Sequence, residues 1–597
     1  MIYYLQIYHL LFKESIIIGQ ILFSTFNSHK YIMPKLYIFI FLFFTVSLLQ
    51  AQTQGQLKNE VLENKKSSDS RNRRFDSEST TPTNIQPNNV VDPTKKTNVK
   101  LVYLEKSETL SYDEHRLPGI QILNGNVRFR HDDALMYCDS AYFYENVNSI
   151  DAFGNVRIEQ GDTLFIYGDK LYYDGNARFA RLRQNVRMIN RSATLTTDSL
   201  NYDRNTDLAY YYTGGQIVDS TNVLTSVWGQ YSSNSNDALF SNSVKLVNPN
   251  FVLNSDTLIY NTTTHIANIV GTTHILYNDE TDIYSNKGWY NTDNEQMMLL
   301  NRSIVAHKDG KSLTGDTVYY DKSKKYGESF INVEITDSIN KSTIYGDYAF
   351  YDEVEEISLV TDSALLVDWS SVDTLWVHAD TLRTFKDSIY DVAIGYYNVR
   401  IFRNDIQGVC DSLAYTARDS IMNMYGEPVI WAEQNQLSGE FIQAFIKDNE
   451  IEHIHIQRNA IAVQQEDSVF YNQMAGKEII AYIKDGELYR VNVNGNAETI
   501  YFPRDEADSS FIGINKTESS YVIMYFEDKK IQRIVTTAAT TGVMYPIDQL
   551  SGGDLYLKNF FWLKNERPES SDAVMIHVER EKREKIGTSS LTNKGTP

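Results

Sequence analysis

Apolar and polar residues alternate in short runs along most of the chain, and one eight-residue pattern recurs through it. The pattern is clearest at residues 195–202, Leu-Thr-Thr-Asp-Ser-Leu-Asn-Tyr, where an aliphatic residue precedes an acid and an apolar and an aromatic residue follow it. Successive acids are about thirty residues apart, which is typical of a repeat architecture. The acid position is occupied by Asp139, Asp169, Asp198, Asp256, Asp316, Asp347, Asp380 and Asp411, with Asn286, Glu440 and Glu478 as variants and Val227 as the one break.

The apolar positions of this pattern change side at the acid. In an extended chain Leu200 and Tyr202 share the parity of Asp198, whereas Leu195 has the opposite parity. Both sets can face one core only if the register slips by one residue, so we predict a bulge or corner at the acid and the small residue before it. We interpret the acid as a structural residue that accepts backbone N–H groups, because the Gly-Gly-x-Gly-x-Asp pattern of calcium-binding solenoids is missing.

A second motif lies about twelve residues before each acid. It is Gly-Asn-Val at residues 125–127 and 154–156 and Gln-Asn-Val at residues 184–186. Gly-Asn pairs suit turns with positive φ, and the strand after each pair alternates apolar with polar residues. Each repeat is therefore predicted to hold two or three short strands, and successive repeats to stack into an elongated all-β body. The predicted in-facing pairs are Val127 and Phe129, Val156 and Ile158, Val186 and Met188, Val244 and Leu246, Val399 and Ile401, and Val429 and Trp431.

Composition supports strands and excludes one class of partner. The 597 residues include 41 tyrosines but only 11 prolines, and the apolar share of 42% is enough to bury a large core over more than one domain. The formal net charge of −21 argues against nucleic-acid binding, which needs clustered Lys and Arg. Cys138 and Cys410 occupy the small position about nine repeats apart, so we predict that they are buried and unpaired.

The N-terminal residues indicate export. Met33 begins a Met-Pro-Lys sequence that is followed by an apolar run at residues 36–49, which predicts a signal peptide cleaved near Ala51. The apolar run is shorter than the ~20 residues of a membrane-spanning helix, so a membrane anchor is the less favoured alternative. Whether the chain starts at Met1 or at Met33 is left open.

Together, the Gly-Asn-Val strands and the small-Asp-x-apolar-x-Tyr strands resemble the organic-solvent-tolerance (OstA/LptA-like) family of periplasmic lipopolysaccharide transport proteins over residues 100–555. Trp-Val-His-Ala-Asp at residues 376–380 and Cys-Asp-Ser-Leu at residues 410–413 resemble the second OstA-like segment of longer members. The predicted domains are residues 1–51 (upstream segment and signal peptide), 52–99 (flexible linker), 100–368 (first OstA-like segment), 369–560 (second OstA-like segment) and 561–597 (charged C-terminal tail).

The resemblance implies a V-shaped β-jellyroll whose apolar interior shields acyl chains during outer-membrane assembly. It implies lipopolysaccharide, through the acyl chains of lipid A, as the ligand, and the twelve in-facing residues above as the lipid lining. It also implies a periplasmic protein, with association with the outer membrane left open. Its end strands are expected to pair with other lipopolysaccharide transport components by β-augmentation, and the partner at each end is open.

Motifs for catalysis are missing from the sequence, so we predict a protein that is not an enzyme and has no cofactor or metal. There is no Gly-x-Ser-x-Gly elbow, phosphate-binding loop, Cys-x-x-Cys or His-Glu-x-x-His. His453 and His455 share a strand face, but the neighbouring isoleucines are expected to take the core face. The alternative function is an exported structural β-solenoid scaffold or adhesin without lipid cargo. Residues 555–563 are predicted to close the last roll, and residues 573–586 to form a short helix.

Overall fold

The computed structural model describes residues 100–580, except residue 114 and residues 448–449, 485–486, 506–507, 528–529 and 550–554. The predicted signal peptide and linker lie outside the described residues, as does the end of the predicted C-terminal helix. Strands dominate the described part of the chain, as predicted, with short 3₁₀ turns at Glu145–Val147, Ile547–Gln549, Lys564–Glu566 and Asp572–Met575. None of the helical turns in this range has the length and apolar composition of a membrane-spanning helix.

The described residues contain 36 strands. They are β1 (Tyr103–Lys106), β2 (Thr109–Tyr112), β3 (Gln121–His131), β4 (Ala134–Tyr144), β5 (Ser149–Gln160), β6 (Leu164–Asp174), β7 (Phe179–Asn190), β8 (Ala193–Asp203), β9 (Leu208–Tyr211), β10 (Gly215–Asp219), β11 (Asn222–Ser226), β12 (Trp228–Ser232), β13 (Asp237–Asn248), β14 (Phe251–Asn261), β15 (Ile266–Ile269), β16 (Thr273–Tyr277), β17 (Thr281–Ser285), β18 (Lys287–Asn291), β19 (Gln296–His307), β20 (Lys311–Asp321), β21 (Tyr326–Asp337), β22 (Ser342–Asp352), β23 (Ile357–Asp368), β24 (Leu375–Asp387), β25 (Tyr390–Phe402), β26 (Ile406–Thr416), β27 (Ile421–Tyr425), β28 (Val429–Ala432), β29 (Asn435–Ser438), β30 (Phe441–Lys447), β31 (Glu450–Gln465), β32 (Tyr471–Lys484), β33 (Glu487–Tyr501), β34 (Gly513–Glu527), β35 (Lys530–Thr537) and β36 (Thr541–Pro546).

These strands form one antiparallel sheet in which each rung is hydrogen-bonded to the next rung along the chain. Most rungs are single strands of 11 to 16 residues. The other rungs consist of two short strands placed end to end: β1 with β2, β9 with β10, β11 with β12, β15 with β16, β17 with β18, β27 with β28, β29 with β30, and β35 with β36. The sheet continues through the predicted segment boundary, because β23 pairs with β24. Its edges are β1 and β2 at one end and β35 and β36 at the other.

Each rung bends in its middle, so that its two halves lie in two facing layers. Layer A contains the half-strands with the aliphatic position before the acid, and layer B those with the apolar and aromatic positions after it. In β8, Leu195 of layer A and Leu200 and Tyr202 of layer B are all buried, which confirms the predicted change of side at the acid. Side chains of both layers meet in one core; the Phe129 and Phe143 ring centroids, for example, are 5.5 Å apart.

The corner is made by the Gly-Asn motif within a strand. Between β5 and β6, Gly154 and Asn155 lie opposite the single residue Asp169, and their φ angles are 74° and 44°. Two successive left-handed residues turn the chain and leave the ladder intact on both sides, so one long strand replaces two short ones. The prediction that the motif starts a new strand is therefore wrong. Glycine fits position 154 because a Cβ there would lie 2.5 Å from the Asp139 carboxylate, although Gln184 occupies the same place in the next motif with a φ of 67°.

At several corners, the acid is hydrogen-bonded to the Asn of this motif on the following rung. Asn185 Nδ2 donates to Asp169 Oδ2 over 2.6 Å. A side-chain amide thus replaces the backbone N–H groups that the sequence predicts as donors, although Asn332 N also donates to Asp347 Oδ1 over 3.3 Å. The same bond joins Asn155 to Asp139 (2.8 Å), Asn332 to Asp316 (2.8 Å), Asn398 to Asp380 (2.9 Å) and Asn459 to Glu440 (2.5 Å). Glu478 accepts instead from Asn494, the residue before its Gly-Asn pair, over 3.0 Å.

The C-terminal residues 555–580, which we call the strap, cross the outer face of layer A. Leu563 N donates to Gln436 Oε1 over 2.8 Å, and Leu557 N donates to Gln473 Oε1 over 2.8 Å. Both glutamines are buried under the strap. The prediction that residues 555–563 close the last roll is wrong. Instead, amide side chains on the outer face of the sheet accept hydrogen bonds from the backbone of the strap.

Two predicted lining residues lie under the strap. Val429 and Trp431 pack with Leu563 on the outer face, whereas Ile430 between them packs in the core between the layers. The prediction that Val429 and Trp431 face inward is wrong. Because β28 is buried on both faces, alternation alone does not show which face lies in the core between the layers. Farther along, Asp572–Met575 forms a 3₁₀ turn where the sequence predicts the start of a helix.

Candidate functional site

The two layers meet along a seam of strand ends and hairpin turns on the side opposite the corners. In residues 121–269, which we call the closed region, tyrosines at the aromatic position of layer B reach polar residues of layer A. The bonds join Tyr173 OH to His131 Nδ1 (2.6 Å), Tyr202 OH to Gln160 Oε1 (3.2 Å), Asn190 Nδ2 to Tyr231 OH (2.9 Å) and Tyr260 OH to Asp219 Oδ2 (2.8 Å). Burial raises the pKa of Tyr173, Tyr202 and Tyr260, so these hydroxyls are neutral donors.

Arg204 is a charged residue of the seam in the closed region. Its side chain is 1% exposed, and its guanidinium donates to Tyr173 OH (2.8 Å), the His131 backbone oxygen (3.2 Å) and Asp133 Oδ1 (2.7 Å). Burial lowers the pKa of His131, and the nearby Arg204 charge adds to this shift, so the imidazole is neutral at pH 7. Arg204 therefore joins a hairpin turn of layer B to one of layer A and holds the closed region shut.

A charged cluster bridges the layers farther along the seam. Glu295 accepts hydrogen bonds from Asn250 Nδ2 (2.7 Å), Tyr277 OH (2.5 Å) and Lys322 Nζ (2.5 Å), and Lys322 also contacts Tyr277 OH. Burial by itself raises the pKa of Glu295, but the hydrogen bonds from Lys322 and Tyr277 outweigh it and lower that pKa. The carboxylate is therefore ionised at neutral pH.

A cavity of about 280 Å³ lies next to this cluster between the layers and is open at its mouth. We call the surrounding residues 277–382 the open region. The apolar wall residues are Ile283, Val305, Leu313, Ile335 and Ile344 in layer A, and Met297, Val318, Ala349, Val360 and Leu382 in layer B. The charged rim residues are Glu280, Glu295, Lys322, Lys325, Glu328 and Glu353. A concave apolar surface with a few polar groups is the usual form of a ligand site.

Tyr290 is a buried residue of the cavity wall whose hydroxyl has no hydrogen-bond partner among the described residues. The residue is 2% exposed, and its ring packs edge-on against Phe251 with the centroids 4.7 Å apart. Burial raises the pKa of Tyr290, and the Glu295 charge adds to this shift, so the hydroxyl is a donor at neutral pH. Buried polar groups without a partner are uncommon in folded proteins.

The comparisons with known proteins concern the N-terminal part of the described sheet. Residues 99–256 match the family model described as OstA-like protein. We call this matched stretch the OstA-like domain. A similar solved structure is the crystal structure of LptH, the LptA homologous periplasmic component of the conserved lipopolysaccharide transport device from Pseudomonas aeruginosa; the match has 12% identity and a TM-score of 0.17 and covers 19% of this chain and 82% of that chain. No curated protein matches the chain.

The predicted OstA/LptA-like resemblance is confirmed for the OstA-like domain, which overlaps most of the closed region. Ten of the predicted lining residues are buried in the core between the layers: Val127, Phe129, Val156, Ile158, Val186, Met188, Val244 and Leu246 in the closed region, and Val399 and Ile401 beyond the open region. The cavity wall contains none of the twelve predicted residues. Contact of the ten with lipid therefore stays a prediction, as does a second OstA-like segment.

Sequence patterns predict which side chains face inward but do not predict where the layers separate. Leu313 and Val318, on the cavity wall, occupy the same repeat positions as Leu253 and Leu258, which are fully buried in the closed region. The wall residues could therefore be identified as in-facing from alternation, but no signal in the repeat marks them as members of a cavity.

The two histidines considered for a metal site have other partners. The His453 ring stacks on Phe445 with the centroids 4.1 Å apart, and His455 Nε2 lies 2.8 Å from Glu478 Oε2. Across the residues with described coordinates, no group of three or more His, Cys, Asp or Glu side chains is placed to hold a metal ion.

Proposed function

We propose that this protein binds the acyl chains of lipopolysaccharide between its two layers and takes part in lipopolysaccharide transport in the periplasm, without catalysing a reaction. The observation that carries the proposal is the apolar cavity between the layers, with its charged rim. The OstA-like domain in the same sheet gives further support, because it relates the chain to a family that the sequence resembles over a longer range.

The cavity wall suits an acyl chain. Its apolar residues come from both layers, so a chain placed between them is covered on two sides. Each methylene group transferred from water to such surroundings contributes about 0.8 kcal/mol, so a chain of about ten carbons offsets much of the cost of association. The charged rim keeps a polar headgroup in water at the mouth.

The edges of the sheet suit pairing with other transport components. β1 and β2 form one edge, and β35 and β36 form the other. Exposed apolar side chains lie on these strands, Leu110 and Tyr112 at the first edge and Val543 and Met544 at the second. Edge strands of this kind are templates for an added strand. We therefore propose that neighbouring components add strands at both edges.

Photo-crosslinking in cells that make lipopolysaccharide tests the lipid site. A probe at Ile335, on the cavity wall, is expected to capture lipopolysaccharide. A probe at the adjacent Glu334 is the matched control, because Glu334 points outward and lies 3.2 Å from Arg302. Equal lipid capture at both positions, or capture of protein alone at Ile335, would contradict the proposal and favour an exported scaffold or adhesin without lipid cargo.

A further inference from the structure

Tyr290 interrupts a series of cross-layer hydrogen bonds. At the aromatic position of earlier repeats, Tyr202, Tyr231 and Tyr260 are each bonded to a polar residue of layer A. Tyr290 occupies the same position after Asn286, but its buried hydroxyl has no partner among the described residues. Leaving a buried hydroxyl unpaired costs about 1–3 kcal/mol, so a ligand group that accepts its hydrogen bond gains affinity.

Tyr290 is a residue of the cavity wall and lies near the charged cluster of the rim. The charges of Glu295 and Tyr277 in that cluster act on its hydroxyl. When an acyl chain lies along the apolar wall with its headgroup at the mouth, the group that links the chain to the headgroup lies between the wall and the rim. The linking group is therefore the part of the ligand that can meet Tyr290.

The lysines at the mouth are already paired with acids. Three ion pairs lie there: Lys308 with Glu280 (2.7 Å), Lys322 with Glu295 (2.5 Å) and Lys325 with Glu353 (3.1 Å). The hydrogen bond from Lys308 lowers the pKa of Glu280, so this carboxylate is ionised at neutral pH, as Glu295 is. A free carboxylate headgroup would compete with these acids for the lysines, whereas a neutral carbonyl would not.

We infer that the cavity selects acyl chains joined to their headgroup by an ester or amide bond, and that Tyr290 is a specificity-determining residue that donates a hydrogen bond to the linking carbonyl. The inference rests on the proposed function, because it assigns a polar contact to the lipid of the same cavity. It makes free fatty acids the poorer ligands, although their chains fit the same wall.

Competition binding to the full-length chain at pH 7 tests the inference. N-methyldecanamide and decanoate are compared by displacement of a fluorescent apolar dye. We expect the parent to bind the amide about tenfold more tightly than decanoate. Tyr290→Phe is expected to weaken the amide about five- to tenfold and to leave decanoate unchanged, because only the amide loses a hydrogen bond.

Tyr260→Phe is the matched control. It removes a hydroxyl at the same repeat position that is bonded to Asp219 within the seam, 2.8 Å away. This variant is expected to lower the melting temperature and leave both affinities unchanged. Tyr290→Phe is expected to keep or raise the parent's melting temperature, because it removes a buried hydroxyl that has no partner among the described residues.

The outcomes separate the two proposals. No loss of amide affinity in Tyr290→Phe, or an equal loss for both ligands, overturns the role of Tyr290. Decanoate that binds the parent as tightly as the amide overturns the selectivity for a linking carbonyl. Failure of both ligands to bind the parent overturns the lipid site itself and, with it, the inference.

Discussion

The closed and open regions are built from the same repeat but have different interiors. In the closed region, the residue that ends a layer A half-strand bonds across the seam, as His131 does with a tyrosine hydroxyl. In the open region, Tyr277 still bonds across the seam to Glu295, but two later residues at the equivalent position bond within their own hairpin turns. His307 Nδ1 lies 2.8 Å from Asp309 Oδ1, and Asp337 accepts a hydrogen bond from Ile339 N over 3.0 Å. At these positions, the residue that ends the layer A half-strand bonds across the seam at His131 and within its own turn at His307 and Asp337.

This difference separates a structural part of the sheet from the proposed ligand site. A ligand in the closed region would have to displace packed side chains and break cross-layer hydrogen bonds worth about 1 kcal/mol each. In the open region the space already exists between apolar walls. The OstA-like domain therefore supports the sheet mainly through a packed core, and the cavity that follows it is where acyl chains are expected.

Truncating one leucine in each region gives the largest expected contrast. Leu253 and Leu313 both lie three residues before an acid, but Leu253 is 0% exposed and Leu313 is 7% exposed on the cavity wall. Leu253→Ala is expected to lower the free energy of unfolding by about 3 kcal/mol and Leu313→Ala by about 1 kcal/mol, because Leu313 already faces empty space. Urea denaturation measures both; equal losses would contradict the distinction between the regions.

Opening the seam has the next largest effect. Arg204→Ala leaves the buried Tyr173 hydroxyl and His131 carbonyl with one donor fewer, so we expect a loss of about 2 kcal/mol in urea denaturation. Arg181→Ala is the control, because Arg181 lies over the Phe179 ring on the outer face, and a change below about 0.5 kcal/mol is expected. If the seam excludes lipid, a crosslinking probe at Met188 captures lipid in Arg204→Ala but not in the parent.

The rim turn is expected to respond to acid. Asp321 precedes Lys322 in its hairpin turn, and the hydrogen bond from Ser323 (2.6 Å), supported by Gln296 (2.8 Å), lowers the pKa of Asp321 to about 2. A lowered folded-state pKa stabilises the fold above the ordinary value of about 3.8, and this stabilisation is lost as the pH falls toward about 2. Asp321→Asn should therefore lower the urea midpoint at pH 7, and the difference from the parent should shrink between pH 4 and pH 2. A difference independent of pH would exclude this role for Asp321.

The corner bond should give the smallest effect. A double-mutant cycle of Asp169→Ala and Asn185→Gly, in which glycine keeps the left-handed backbone, is expected to show a coupling of about 1 kcal/mol or less in urea denaturation, because the pair is exposed. Asp198→Ala is the comparison. Asn185 lies sixteen residues after Asp169, whereas the residue sixteen positions after Asp198 is Gly214, which has no side-chain amide. A larger loss of unfolding free energy for Asp198→Ala than for Asp169→Ala would show that the side-chain amide is not the main partner of the acid.

The features that were predicted correctly depend on a few neighbouring residues. The change of parity between Leu195 and Leu200 follows from the alternation of side chains along a strand, and it is observed in β8. Cys138 and Cys410 are free and buried, as expected for small apolar residues at the corner. The Gly-Asn motif was predicted to have positive φ, which is also observed, but its place within a strand depends on how the ladder resumes on the next rung.

The sequence alone therefore determined the all-β repeat, the in-facing positions and the corner, because each is set by backbone sterics and alternation over fewer than about ten residues. Only the tertiary structure decided the seam, the strap and the cavity. Asn190 and Tyr231 are 41 residues apart, and Gln436 and Leu563 are 127 residues apart. Their contacts depend on how far two layers separate after many rungs have paired. The distance between the layers depends on the packing of all side chains across both layers, so it cannot be predicted from the sequence of a single repeat.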